Sequence, residues 1–215
     1  MFLPVTRTAR IATLGDDIAN PSEVWIACHG YGQLAARFIR HFEPLLDGTR
    51  RIYAPEALSR FYFDPPSKHR NPDSRIGATW MTREDREHEI ADYVGYLDAL
   101  VRAVAVPGAR LVAFGFSQGV STVMRWAALG SARVDRVIAW SGSFPPDLDL
   151  AQYRDRFGRV PLDYVSGDAD EFFDEAAVQA QCDRLRDAGV AFTFTSFPGR
   201  HTIDRETLLR IAVRG

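Results

Sequence analysis

Cysteine is nearly absent. Cys28 lies in an apolar, strand-like run and Cys182 in a helix-like one, too few for a disulfide framework or a paired metal motif. Both read as buried, reduced thiols. Long apolar runs are missing too: no uninterrupted stretch approaches the roughly 20 residues that span a bilayer. The apolar part of the opening MFLPVTRTAR is too short for a signal-peptide core. Nor does charge of one sign dominate, since the net charge is -2 and the isoelectric point near 6.2, which gives no electrostatic case for nucleic acid or an anionic membrane. The expectation is a soluble, cytoplasmic protein. What the chain does have is core-forming material, 46% hydrophobic residues in 215, enough for one globular domain over residues 1–215.

Short apolar runs alternate with longer stretches of helical period. Strands are expected near 23–30, 50–56, 109–116, 136–142, 160–167 and 190–197, with an edge strand in TRTARIATLG. Most of these runs are continuously apolar, as in strands covered on both faces. Helices are expected near 33–46, 82–105, 118–129, 174–188 and 203–213. In the second, Thr82 is placed as N-cap, and Ile90, Val94, Leu97, Val101 and Val104 form one stripe. The charged opening of this helix, TREDREHE, reads as a solvated face. Such alternation implies a mostly parallel α/β sheet with helices on both faces. Residues 56–80 resist the pattern, with several prolines and no clean period; loops of that length in compact domains serve function or are disordered.

LVAFGFSQGVSTVMRWA, residues 111–127, turns an apolar strand directly into a helix through GFSQG. The pattern G-x-S-x-G arises by chance in roughly one chain of this length in twenty, given the usual abundance of glycine. Its strand-turn-helix setting is what marks a nucleophile elbow, which exposes Ser117 in front of a helix N-terminus; a plain N-cap serine is the blander alternative. A serine hydroxyl needs a base, and in such elbow enzymes the chain order is Ser, acid, His. His29, His41, His69 and His88 all precede Ser117, so only His201 qualifies. The acid belongs at the end of the strand before it, where VSGDADE offers Asp168, Asp170 and Glu171; spacing alone does not separate them, and each can also cap the following helix. HGYG at 29–32 ends an early strand as the HGGG-type loop does, which points to Tyr31 N–H and Gln118 N–H as oxyanion donors.

HGYG, GFSQG, SGSFPP at 141–146, GDAD and PGRHTI, in this order over nearly the whole chain, resemble the phospholipase/carboxylesterase family of α/β-hydrolases, which includes acyl-protein thioesterases. The resemblance implies an ester or thioester hydrolase with Ser117 as nucleophile and His201 as base. It also implies Asp170, the second aspartate of GDAD, as the acid. The chain departs from the family where the acid loop continues EFF instead of a proline-valine run, and where an arginine precedes His201. Two-step acyl transfer on a small acyl ester needs no metal and no cofactor. Other readings of the residues are a peptidase, a dienelactone-type hydrolase (expected to carry Cys in place of Ser117), or a binding scaffold that kept the fold. Fewer than twenty residues separate the strand ending at Gly142 from the one beginning near Val160, too few for a separate cap domain. An open site is therefore expected, with Phe63, Trp80 and Phe144 as candidate walls for an acyl chain of short to medium length. The oligomeric state stays open, a homodimer included.

Overall fold

The computed structural model describes residues 1–69 and 71–214. The chain opens with β1 (Ile11–Leu14) and β2 (Glu23–Cys28), followed by α1 (Ala35–Phe38), which tightens into a 3-10 turn over Ile39–Leu45 that carries Pro44. Next come β3 (Arg50–Pro55), β4 (Ser59–Tyr62), β5 (Ile76–Thr79) and the long α2 (Arg86–Val104). The second half reads β6 (Arg110–Phe116), α3 (Gln118–Leu129), β7 (Arg136–Trp140), α4 (Arg154–Phe157), β8 (Leu162–Gly167), α5 (Glu175–Asp187), β9 (Thr193–Phe197) and α6 (Arg205–Ala212).

The main sheet has seven strands in the order β1-β3-β2-β6-β7-β8-β9. All neighbours are parallel except the edge strand β1, which runs antiparallel to β3. The continuous apolar runs follow from this arrangement, because successive residues of a central strand face opposite layers and both layers are covered. Along β2, Val24, Ile26 and Cys28 join one core cluster, while Trp25 and Ala27 join the other. Side chains of α2, α3 and α5 pack on the first face; those of α1, the 3-10 turn and α6 pack on the second. The loop from β7 to β8 contains only the single turn α4, so among the described residues no cap domain rises above the sheet.

Two expectations need correction. Residues 82–85 do not begin α2: Thr82 Oγ1 accepts from Glu84 N–H in a local turn, and Thr82 N–H is taken by the Glu89 carboxylate, which delays the helix to Arg86. The segment 56–80 is not structureless either. β4 and β5 pair antiparallel, Ser59 opposite Thr79 through Tyr62 opposite Ile76, as a small hairpin of its own. The strands are too short and too glycine-bearing for a period-two signal to emerge from the sequence.

Candidate active site

Because the parallel strands share a direction, the loops after β2, β6, β8 and β9 gather at one edge of the sheet, the usual place for ligands in this class of fold. β6 ends at Phe116 and α3 begins at Gln118, leaving Ser117 as the only joint between them, at φ 54° and ψ -118°. That is a strained conformation for a residue with a side chain, and it persists only where neighbours dictate it. The neighbours are backbone: a Cβ on Gly115 would fall 2.3 Å from the Gly119 carbonyl oxygen, and one on Gly119 would fall 2.2 Å from that of Cys28. The helix is thus drawn hard against β6 and β2, and Ser117 is pushed forward. Ser117 N–H donates to the Trp140 carbonyl at 2.9 Å, which locks the turn onto β7.

His201 arrives on the loop after β9. The Trp140 indole N–H holds this loop through the Thr202 carbonyl at 2.8 Å, and the imidazole lies beside the Phe116 ring, with centroids 4.9 Å apart, next to the elbow. Its Nδ1 faces the buried Asp170 carboxylate, 2.9 Å from Oδ2 and 3.1 Å from Oδ1. An ionised carboxylate only accepts, so Nδ1 carries the hydrogen and the Nε2 lone pair is left for another proton. Among the described residues no hydrogen bond joins Ser117 to His201.

The remaining candidates for the acid have other partners. Asp168 Oδ1 accepts from Gly199 N–H at 3.0 Å, and Glu171 Oε2 accepts from His201 N–H at 3.2 Å. Asp170 Oδ1 is further held by the Phe172 and Phe173 N–H groups at 2.9 and 3.2 Å. Glu171 also pairs with Arg200 at 3.3 Å, so the two departures from the family pattern meet each other across the acid and histidine loops.

The HGYG loop reaches Ser117. A Cβ on Gly30 would lie 3.1 Å from the Cβ of Ser117. Among the described residues neither Tyr31 N–H nor Gln118 N–H has an acceptor, so both donors are uncommitted beside Ser117. His29 lies beneath them as a buried brace: its Nδ1 bonds the Gly30 carbonyl at 2.7 Å, and its Nε2 accepts from Ala57 N–H at 3.1 Å. Burial pushes its pKa down, in keeping with a neutral ring that must accept at Nε2.

Of the expected wall residues, Trp80 and Phe144 go to the core. Trp80 is 4% exposed because its indole N–H is committed to the His29 carbonyl at 2.8 Å, and Phe144 is 1% exposed against Tyr164. Neither offers a face to substrate, so neither is a wall of an acyl groove. Phe63, 42% exposed, lies over Gly32 and Gly77, where added Cβ atoms would strike its ring. Its neighbour Phe61 stacks on Tyr31 at 5.1 Å, so the hairpin rests on the HGYG loop. The sequence reading missed two features. Phe172, 69% exposed, meets the His201 ring edge-on at 4.8 Å, foreshadowed only by the EFF departure. A cleft of about 440 Å³ also opens between Tyr31 and Gln118, lined by Met81, Arg83, Arg86 and Arg125 among others.

The sheet order, the strained serine at the strand-to-helix elbow and the loops at the carboxyl edge are those of an α/β-hydrolase. The family described as Phospholipase/Carboxylesterase matches residues 16–213, and the chain belongs to it. Its fold is similar to that of Zea mays acyl-protein thioesterase 2, at 17% identity and a TM-score of 0.74, over 95% of this chain and 96% of that one. It is similar also to a phospholipase/carboxylesterase from Dyadobacter fermentans, at 22% identity and a TM-score of 0.66, over 97% and 96% of the two chains. No curated protein sequence is significantly similar to the chain. No helix among the described residues is long and apolar enough to cross a membrane.

Proposed function

We propose that this protein, acting as one domain, is a serine hydrolase of carboxylic esters, thioesters included, working through an acyl-enzyme. The observation that carries the reading is Ser117 held at positive φ by two glycines that admit no side chain, with the Asp170-bound imidazole of His201 packed on the preceding residue. His201 Nε2 takes the hydroxyl proton as Ser117 Oγ attacks the acyl carbonyl. Tyr31 and Gln118 N–H groups hold the oxyanion, and the imidazolium returns its proton to the leaving alkoxide or thiolate. Water then repeats the sequence on the ester of Ser117, releasing the acid. Asp170 holds the tautomer and stabilises the transient imidazolium.

A fluorophosphonate probe should label wild-type protein at Ser117. Ser117→Ala and His201→Ala should each remove nearly all esterase activity, with the double variant scarcely worse, because residues acting as one unit are non-additive. Additive losses, or labelling elsewhere, would count against the triad.

The cleft is short and its lining largely apolar, with Tyr31, Met81 and Pro146 among the residues that line it. Each buried CH₂ gains about 0.8 kcal/mol, so kcat/KM for p-nitrophenyl esters should rise over the first carbons and level off early. With no cap to displace, there should be no jump in rate when substrate forms micelles. A rate that appears only at a lipid interface would overturn the open-site reading.

A further inference from the structure

The cleft between Tyr31 and Gln118 sets three arginines into a lining that is otherwise largely apolar. It is lined by Arg83, Arg86 and Arg125 together with Thr82, Ser121 and Thr122, and among the described residues no carboxylate lines it. Arg125 is buried and fully engaged: Nε and Nη2 bond Asp147, at 3.2 and 2.5 Å, and Nη1 bonds the Tyr93 hydroxyl at 3.3 Å. Arg86 Nη2 lies 2.9 Å from the same Asp147 Oδ1. Burial works to raise Asp147, yet the hydrogen bonds and charge of Arg125, with Arg86 beyond, hold it below the ordinary carboxylate range. One carboxylate is therefore shared by two guanidinium groups.

Arg83 is exposed and, among the described residues, in no ion pair. The acids of its own segment face other partners: Glu89 receives Thr82 N–H, Asp85 pairs with His88 at 2.7 Å, and Glu84 and Glu87 are exposed outside the lining. Gln118, Ser121 and Thr122 bring the first turns of α3, whose free N–H groups add positive potential at the same wall. A neutral chain laid over Arg83 desolvates its guanidinium without supplying a hydrogen bond, whereas an anion supplies charge-assisted ones.

We infer that the preferred substrate is an ester carrying an anionic oxyacid group, a carboxylate or a phosphate, met by Arg83 with Arg86 beside it. This rests on the Ser117 hydrolase reading. The test compares kcat/KM for two sets of esters. On the acyl side, p-nitrophenyl hexanoate is set against the p-nitrophenyl monoester of adipic acid; on the alcohol side, phenyl hexanoate is set against its 3-carboxyphenyl and 3-phosphonooxyphenyl counterparts. In at least one set the charged ester should be favoured about fivefold, the scale of a solvent-accessible ion pair, through a lower KM. The preference should shrink as salt is raised. It should be lost in Arg83→Gln and inverted in Arg83→Glu, and the carboxylate and phosphate arms tell the two anions apart. Equal or poorer turnover of every charged ester, or a preference indifferent to salt, overturns the inference while hydrolysis of the neutral esters leaves the hydrolase reading standing. Failure of all the esters together with an unlabelled Ser117 removes both.

Discussion

Asp168 and Asp170 stand two residues apart after β8, equally plausible by chain order, yet their carboxylates do different work. Asp170 is buried against His201 Nδ1 and held by two backbone N–H groups, whereas the exposed Asp168 ties down Gly199 N–H. Asp170→Asn should leave the protein folded and lower kcat by about 10⁴, since an amide at that position favours the wrong imidazole tautomer. Asp168→Asn should act mainly on thermal stability, through the histidine loop. Steady-state kinetics beside thermal melts separate the two, and the reverse pattern would move the acid to Asp168. At this scale the sequence narrowed the acid to three carboxylates, because strand-end position is legible in an apolar run. Which side chain turns toward the imidazole depends on backbone torsions one to four residues past the strand, which no periodicity reports.

At the scale of elements, the hairpin and the elbow are joined by one side chain. Gln118 Nε2 donates to Thr79 Oγ1 and the Met81 carbonyl at 2.9 and 3.0 Å, and its Oε1 accepts from Trp80 N–H at 3.1 Å. The residue after Ser117 thus offers a free backbone N–H to the proposed oxyanion site, while its side chain anchors the end of the hairpin that borders the cleft. Gln118→Ala keeps the N–H, so kcat should fall only modestly, while the lost anchoring hydrogen bonds should cost about 2 kcal/mol. Thermal or urea unfolding read beside kcat tests this; a large loss of kcat with unchanged stability would show the side chain acting in chemistry instead. None of this was visible in the chain order of residues 56–80, where pairing and anchoring are both non-local.

The whole molecule carries a pH dependence through its buried imidazole. Burial lowers the pKa of His29 from 6.5, and protonation would set a second donor against Ala57 N–H. The folded protein therefore resists a proton that the unfolded chain accepts, so stability is complete above about 6.5 and declines as pH falls below that value. His41, also lowered by burial, adds the same sign, while the exposed His88, raised chiefly by its hydrogen bond to Asp85, adds the opposite. Tm should fall between pH 7.5 and 5.5, and His29→Asn should flatten that slope while lowering Tm at neutral pH. An unchanged slope in the variant would show that other groups govern it.

Sequence by itself determined the alternating α/β order, the covered strands and the elbow at Ser117, and singled out His201 as the candidate base. These follow from local patterns: apolar runs of strand length, glycines at a turn, and a single histidine after the serine. Tertiary structure alone decided that Asp170 takes the imidazole, that Trp80 and Phe144 are core, that residues 56–80 form a hairpin resting on Tyr31, and that arginines from α2, α3 and the turn before α2 line one cleft. Each of those depends on contacts between segments tens of residues apart, where burial and hydrogen-bond satisfaction, which are properties of the packed chain, select among side chains that look equivalent along it.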